Sequence, residues 1–167
     1  MNNDTIRKQP PSLDGVSSKE AARKLQLIRT GSVQYGVFAD DIAAIAGWRQ
    51  PTPLPQAPKS VLGVVSIQGR MLTVLDLSTL TGREIAANNA HAKHLIALRG
   101  DEQLALAVET LGETIEIAES DINLKRDNGE PLVLGVFHRK GTEINILNAK
   151  ELFQTAIRGR ERRRRRF

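Results

Sequence analysis

The stretch Val61–Leu77, VLGVVSIQGRMLTVLDL, returns later in the chain as Val133–Leu147, VLGVFHRKGTEINIL. Matching positions stand 72 residues apart, and each stretch predicts an apolar strand, a turn that contains glycine and a second strand. Upstream, Lys24–Val37 matches Lys93–Leu106 at an offset of 69. Because the matching segments keep their order, the sequence contains two similar halves.

Each half is predicted to hold two β-hairpins joined by a connector. Glycine in each turn supplies the positive φ that tight hairpin turns require. The predicted strands are Leu25–Arg29, Gln34–Phe38, Val61–Ile67 and Met71–Leu77 in the first half, and Leu95–Leu98, Leu104–Val108, Leu132–His138 and Glu143–Leu147 in the second.

Two features of these strands indicate how they pack. Val61–Val65 is apolar at nearly every position, which favours a strand covered on both faces, in a small closed barrel or at a contact between lobes. Gly63 and Gly135 stand inside strands at matching places. Glycines in such positions predict bends or a close approach of another backbone segment.

The connectors carry different signals. Ala39–Ala46 predicts a short helix, since acidic residues stand at its start. Pro51–Pro58 holds four prolines and predicts an extended link. After the last predicted strand, Asn148 and Glu151 match a capping box that would open a terminal helical turn.

The charge of the chain is concentrated in its last ten residues. The formal net charge is +5, but the segment 158–167 alone carries +6, which leaves −1 for residues 1–157. Met1–Ser18 is polar, lacks apolar periodicity and predicts a flexible leader. The arginines of the tail are Arg158, Arg160, Arg162, Arg163, Arg164, Arg165 and Arg166.

The composition argues against an enzyme. The chain has no cysteine, which excludes disulfides, thiolate metal sites and a cysteine nucleophile. His91 and His94 stand in a polar linker, the adjacent Asp40 and Asp41 would not face each other on a helix, and Asp76 is expected to satisfy a nearby turn. We therefore predict no catalytic residue, cofactor or metal site.

The stretch Ala44–Leu77 resembles the signature region of CheW-like domains, the coupling proteins of bacterial chemotaxis. In that family a Pro-rich link leads into a strand with an internal glycine, a glycine turn and a second strand that ends in aspartate. The matching positions here are Pro53, Pro55, Ala57, Pro58, Val61, Gly63, Val64, Ile67, Gly69, Val74, Leu75, Asp76 and Leu77.

The resemblance implies an all-β fold of two pseudo-repeated, five-stranded, SH3-like β-barrels with short helices. The CheW-like domain would span residues 19–157, with lobes at about 24–85 and 93–152, between a leader at 1–18 and the Arg-rich tail at 158–167. It also implies a non-enzymatic adaptor that couples a CheA-type histidine kinase, through its regulatory domain, to the cytoplasmic tip of a chemoreceptor. Such a protein is expected in the cytoplasm, at membrane receptor arrays.

The receptor-binding positions of the family correspond to Ile42, Ala44, Gly63, Gln68 and Gly69. The family usually carries arginine at Gln68 and an acidic residue at Ala44, and Arg70 is the candidate replacement for the missing guanidinium. These departures point to a divergent chemosensory pathway, such as one serving type IV pili. Trp48, the only tryptophan, either packs under the Pro-rich link or anchors a partner.

The arginine tail is the feature that the resemblance does not explain. It is a solvated terminus, a contact for an anionic membrane surface, or a contact for nucleic acid. A location at receptor arrays ranks the membrane above nucleic acid. The alternative function for the whole chain is nucleic-acid binding through this tail, although an aromatic content of 4% disfavours a base-stacking surface.

Overall fold

Eleven β-strands form most of the computed structural model, which describes residues 21–82, 91–124 and 131–156. The predicted leader and the arginine tail lie outside the described residues. The strands are β1 (Ala22–Thr30), β2 (Val33–Phe38), β3 (Ile42–Gly47), β4 (Val61–Ile67), β5 (Arg70–Asp76), β6 (His94–Leu98), β7 (Leu104–Val108), β8 (Thr110–Ala118), β9 (Asn123–Leu124), β10 (Val133–Arg139) and β11 (Thr142–Leu147).

All four predicted hairpins are confirmed, as β1–β2, β4–β5, β6–β7 and β10–β11. The predicted helix over Ala39–Ala46 is wrong. Only Ala39–Asp41 forms a 3-10 turn, and Ile42–Gly47 is the strand β3, which pairs with β6. Pairing with a strand from the other half of the sequence outweighs the helix propensity of the alanines.

The strands form two sheets, and each sheet takes strands from both halves of the sequence. Sheet 1 has the order β8-β1-β2-β11-β10-β9, and sheet 2 has the order β3-β6-β7-β5-β4. Neighbours are antiparallel except at one place in each sheet, where β2 lies parallel to β11 and β5 lies parallel to β7. The sheet of six strands exceeds the predicted five because the two-residue strand β9 joins its edge.

The predicted lobe boundaries, 24–85 and 93–152, therefore do not match the two sheets. Lobe 2 is built on sheet 2, whose strands are consecutive in the chain and lie between Ile42 and Val108. Lobe 1 is built on sheet 1, which combines the strands β1 and β2 with the strands β8 to β11. The repeat identified the hairpins, but it carried no information about which hairpins pair with each other, since that choice depends on contacts about a hundred residues apart.

Three apolar clusters form the core. One fills lobe 1, a second fills lobe 2, and the third lies between the two lobes. The interlobe core includes Ile28, Val37, Leu75, Ile96, Leu106 and Leu147. The strand β7 is buried along its full length because it contributes to both the lobe 2 interior and the interlobe core.

Short helical segments follow the second hairpin of each half. Helix α1 (Leu77–Leu80) follows β5, and the 3-10 turn Ala149–Glu151 leads into a helix at residues 152–156. Leu152 and Ala156 of this helix pack in the interlobe core. The predicted capping box is wrong in its side-chain bond: the Asn148 side chain makes no cap, and the amide of Glu151 donates to the main-chain carbonyl of Asn148 at 3.0 Å. Across the described segments, no helix is long and apolar enough to cross a membrane.

Candidate partner-binding site

Five of the seven predicted partner-binding residues gather at one end of lobe 2. Because β5 and β7 run parallel, the turns that precede them, at residues 68–69 and 99–103, lie at the same end of the sheet. The strand β3 also begins there, since Ile42 pairs with Leu98. We call this region the turn end of lobe 2; it carries Ile42, Ala44, Gln68, Gly69 and Arg70.

The turn between β4 and β5 is a tight hairpin turn. Ile67 pairs with Arg70, so only Gln68 and Gly69 lie between the strands, at φ 51° and 76°. Two successive positive φ values are typical of the turn that matches strand twist in hairpins. Gln68, Gly69 and Arg70 are all exposed, which leaves their polar groups available to a partner.

Ile42 and Ala44 lie half-buried in β3, at the same end of the sheet as this turn but on the opposite edge from β4 in the strand order. Ile42 packs against the interlobe core, whereas Ala44 packs against the interior of lobe 2. The two side chains face different clusters because β3 has a bulge between them. Arg99 lies next to them, and its Nε donates to the main-chain carbonyl of Ile42 at 3.1 Å.

Gly63 is buried and has a structural role. A Cβ at this position would lie 2.2 Å from the carbonyl oxygen of Thr52. Thr52 and Val64 exchange two main-chain hydrogen bonds of 2.9 Å, so the Pro-rich link runs along the outer edge of β4. The predicted close approach is confirmed, and Gly135 repeats it, with a Cβ that would lie 2.7 Å from the carbonyl oxygen of Asn123.

Trp48 lies at the other end of β3, away from the turn end. Its amide donates to the carbonyl of Lys93 at 3.0 Å, and its half-buried ring packs against the interior of lobe 2. Gly63 therefore lies in the interior of lobe 2, and Trp48 packs against that interior at the far end of β3. The exposed surface of the candidate site consists of Gln68, Gly69 and Arg70, and the half-buried Ile42 and Ala44 lie at the same end of the sheet on the other edge.

Two arginines near these elements were missed from the sequence. Arg99 adds a second exposed guanidinium to the turn end of lobe 2, where Gln68 provides none. Arg49 donates to the main-chain carbonyl of Ser66 at 2.7 Å and so covers the edge of β4. No local signal marks Arg99, because its neighbour Ile42 belongs to the other half of the sequence.

Two of the acidic residues considered for catalysis, Asp76 and Asp40, have structural partners. Asp76 caps α1: it accepts from the Ser78 amide at 3.3 Å, the Ser78 hydroxyl at 2.8 Å and the Thr79 hydroxyl at 2.7 Å. Asp40 lies 3.9 Å from Arg23. Among the residues that the structure describes, no group of three histidine, aspartate or glutamate side chains could hold a metal ion.

The described residues form two lobes whose hairpin turns lie at the surface. Residues 24–156 match the model of the CheW-like domain family, and the chain belongs to that family. Family membership makes the protein a non-enzymatic scaffold or adaptor, as the sequence predicted.

Relatives and a solved structure agree with this assignment. The chain is 25% identical over 135 residues to the chemotaxis protein CheW of Rhizobium meliloti, across 78% of this chain and 87% of the relative. It is 23% identical over 157 residues to CheW of Helicobacter pylori, across 90% and 94%. The scaffolding protein TtCheW from Thermoanaerobacter tengcongensis has the same fold, with a TM-score of 0.71 at 20% identity over 80% of this chain and 88% of that one.

Proposed function

We propose that this protein is a chemotaxis coupling protein, which holds the regulatory domain of a CheA-type histidine kinase together with the cytoplasmic tip of a chemoreceptor. The observation that carries the proposal is the family match over residues 24–156, which covers both lobes and their interface. Signal would pass by contact, since the family supplies no chemistry of its own. The working location is then the cytoplasmic side of a receptor array.

The receptor would bind at the turn end of lobe 2. Gln68 and Gly69 present exposed polar groups, while Ile42 and Ala44 offer half-buried apolar surface at the same end of the sheet. Arg70 and Arg99 replace the guanidinium that the family usually carries at the position of Gln68. Arginine suits a partner with carboxylates or exposed main-chain carbonyls, because its donors form a planar fork.

The proposal is tested by co-purification with the kinase regulatory domain and the receptor hairpin from the same organism. Retention of both supports it, and failure to retain either one contradicts it. Gln68→Arg restores the family residue, and it should strengthen retention of the receptor without changing that of the kinase. Gln56→Arg is a matched control, since Gln56 is also an exposed glutamine at positive φ (57°) but lies in the Pro-rich link.

A further inference from the structure

A cleft of about 290 Å³ opens at the end of lobe 1. It lies between β8 on one side and the β10–β11 turn on the other, with β1 and β2 beneath it. Leu27, Ile28 and Ile144 form its apolar floor as core side chains, of which Leu27 is 8% exposed and the other two are 1% exposed. The charged part of the lining consists of Arg29, Lys140 and the ion pair of Arg139 with Glu113.

One wall of the cleft is held in place by a buried side chain. The pairing of β1 with β8 shifts register between Gln26 and Ile28, which leaves a gap in the ladder of main-chain hydrogen bonds there. The Gln26 amide group fills the gap: its nitrogen donates to the carbonyls of Leu27 at 2.9 Å and Gly112 at 2.8 Å, and its oxygen accepts from the Thr114 hydroxyl at 2.9 Å. Because the Gln26 side chain is buried and satisfied, the opening is built into the lobe.

The charge of the cleft favours an anionic ligand. Arg139 and Glu113 neutralise each other through a hydrogen bond of 2.5 Å. Arg29 and Lys140 are exposed and leave the lining with a local excess of two positive charges. Residues 1–157 together carry −1, so this excess belongs to the cleft rather than to the body of the protein.

The cleft is the counterpart in lobe 1 of the turn end of lobe 2. Each end is formed by the turns of two hairpins and by an edge strand, β8 beside β1 or β3 beside β6. Lys140 stands 72 residues after Gln68 and has the same turn conformation, with φ 49° against 51°. Lys140 therefore places a positive charge at a turn position where lobe 2 has the uncharged Gln68.

We propose that this cleft binds an acidic peptide segment of a partner protein, with an apolar side chain over the floor at Leu27 and neighbouring carboxylates on Arg29 and Lys140. In a concave site with an apolar floor, a few polar groups at the rim fix the orientation of what binds. Arg29 and Lys140 at the rim would favour a negatively charged peptide. The apolar floor would favour an aliphatic residue next to the peptide's carboxylates. The inference rests on the geometry of lobe 1, and it stands whether or not lobe 2 binds a receptor.

The test uses full-length, ¹⁵N-labelled protein and three synthetic octapeptides. The first carries one leucine among glutamates, the second replaces the glutamates by glutamines, and the third replaces the leucine by serine. Only the first should saturate, with amide shifts centred on Gly31, Gly112 and Gly141. Equal binding of the glutamine peptide, equal binding of the serine peptide, or shifts centred elsewhere would each overturn the proposal.

Substitutions locate the charge requirement. Lys140→Gln and Arg29→Gln should each weaken the first peptide by about tenfold, because each removes a charged donor. Lys140→Gln keeps a residue type that the fold already accepts at this turn conformation in Gln68. Lys59→Gln, an exposed lysine at the end of the Pro-rich link in lobe 2, should leave the affinity unchanged. Equal losses in all three variants would show a general charge effect and contradict the assigned site.

Discussion

The carbonyl oxygen of Thr52 occupies the space beside Gly63 that a side chain would need, 2.2 Å from the position of a Cβ. Gly63 also has φ 140°, a conformation that other residues rarely adopt. The Pro-rich link can therefore pair with β4 only because this strand position has no side chain. The turn end of lobe 2 depends on this contact, since β4 leads directly into the turn at Gln68.

Gly63→Ala is expected to destabilise the protein by about 3 kcal/mol or more, since it adds both backbone strain and a clash with main-chain atoms. Chemical denaturation followed by circular dichroism measures the change in the free energy of unfolding. Gly47→Ala is the matched control, because a Cβ at Gly47, in strand β3 of the same sheet, would meet no atom within 4 Å. Equal stability of the two variants would contradict the close approach of Thr52.

Asp76→Ala should lower the free energy of unfolding by about 1–2 kcal/mol, because it removes the cap of α1 with its three hydrogen bonds. Asn148→Ala is the natural comparison, as Asn148 stands 72 residues later but makes no side-chain cap. Its effect should be smaller under the same denaturation conditions. A loss for Asn148→Ala as large as that for Asp76→Ala would show that the cap does not account for the effect.

The hydrogen bond from Arg139, followed by its positive charge, lowers the pKa of Glu113 below its usual value of 4.5. A lowered pKa means that the stabilising interaction is present above pH 4.5 and is lost as the pH falls through the lowered value. Arg139→Gln should move the pKa of Glu113 up towards 4.5, as measured by NMR titration of the side-chain carboxyl. Lys140→Gln should raise this pKa less, because Lys140 contributes only at longer range. An unchanged pKa in Arg139→Gln would exclude the pair in solution.

Ending the chain at residue 157 removes the seven arginines of the tail and changes the formal net charge from +5 to −1. We expect the shortened protein to lose binding to vesicles that contain anionic lipid, because each basic residue near such a surface contributes about 1 kcal/mol. Kinase retention should remain, since the tail lies outside the family match. Binding to DNA, measured over a salt series with both proteins, separates the membrane role from the nucleic-acid alternative. Tight DNA binding without vesicle binding would favour that alternative.

Local features of the fold were predictable from the sequence, and long-range pairing was not. Glycine turns and apolar runs predicted all four hairpins. The matching glycines Gly63 and Gly135 predicted a close approach of another backbone segment at each of the two positions. The strand β3 was predicted as a helix because its alanines fit a helix equally well. Only the pairing with β6, which is distant in sequence, favours a strand there. The cleft of lobe 1 was missed for the same reason, as Gln26 and Gly112 meet only when the two halves are brought together.

The crossed pairing of hairpins has a consequence for the history and synthesis of the chain. The first hairpin of each half lies in the same sheet as the second hairpin of the other half. Two identical chains that exchanged a hairpin and were then joined end to end would have the same arrangement. On the ribosome, lobe 2 is complete once residue 108 has emerged. The β1–β2 hairpin, made first, must wait for β11, more than a hundred residues later, before its sheet can close.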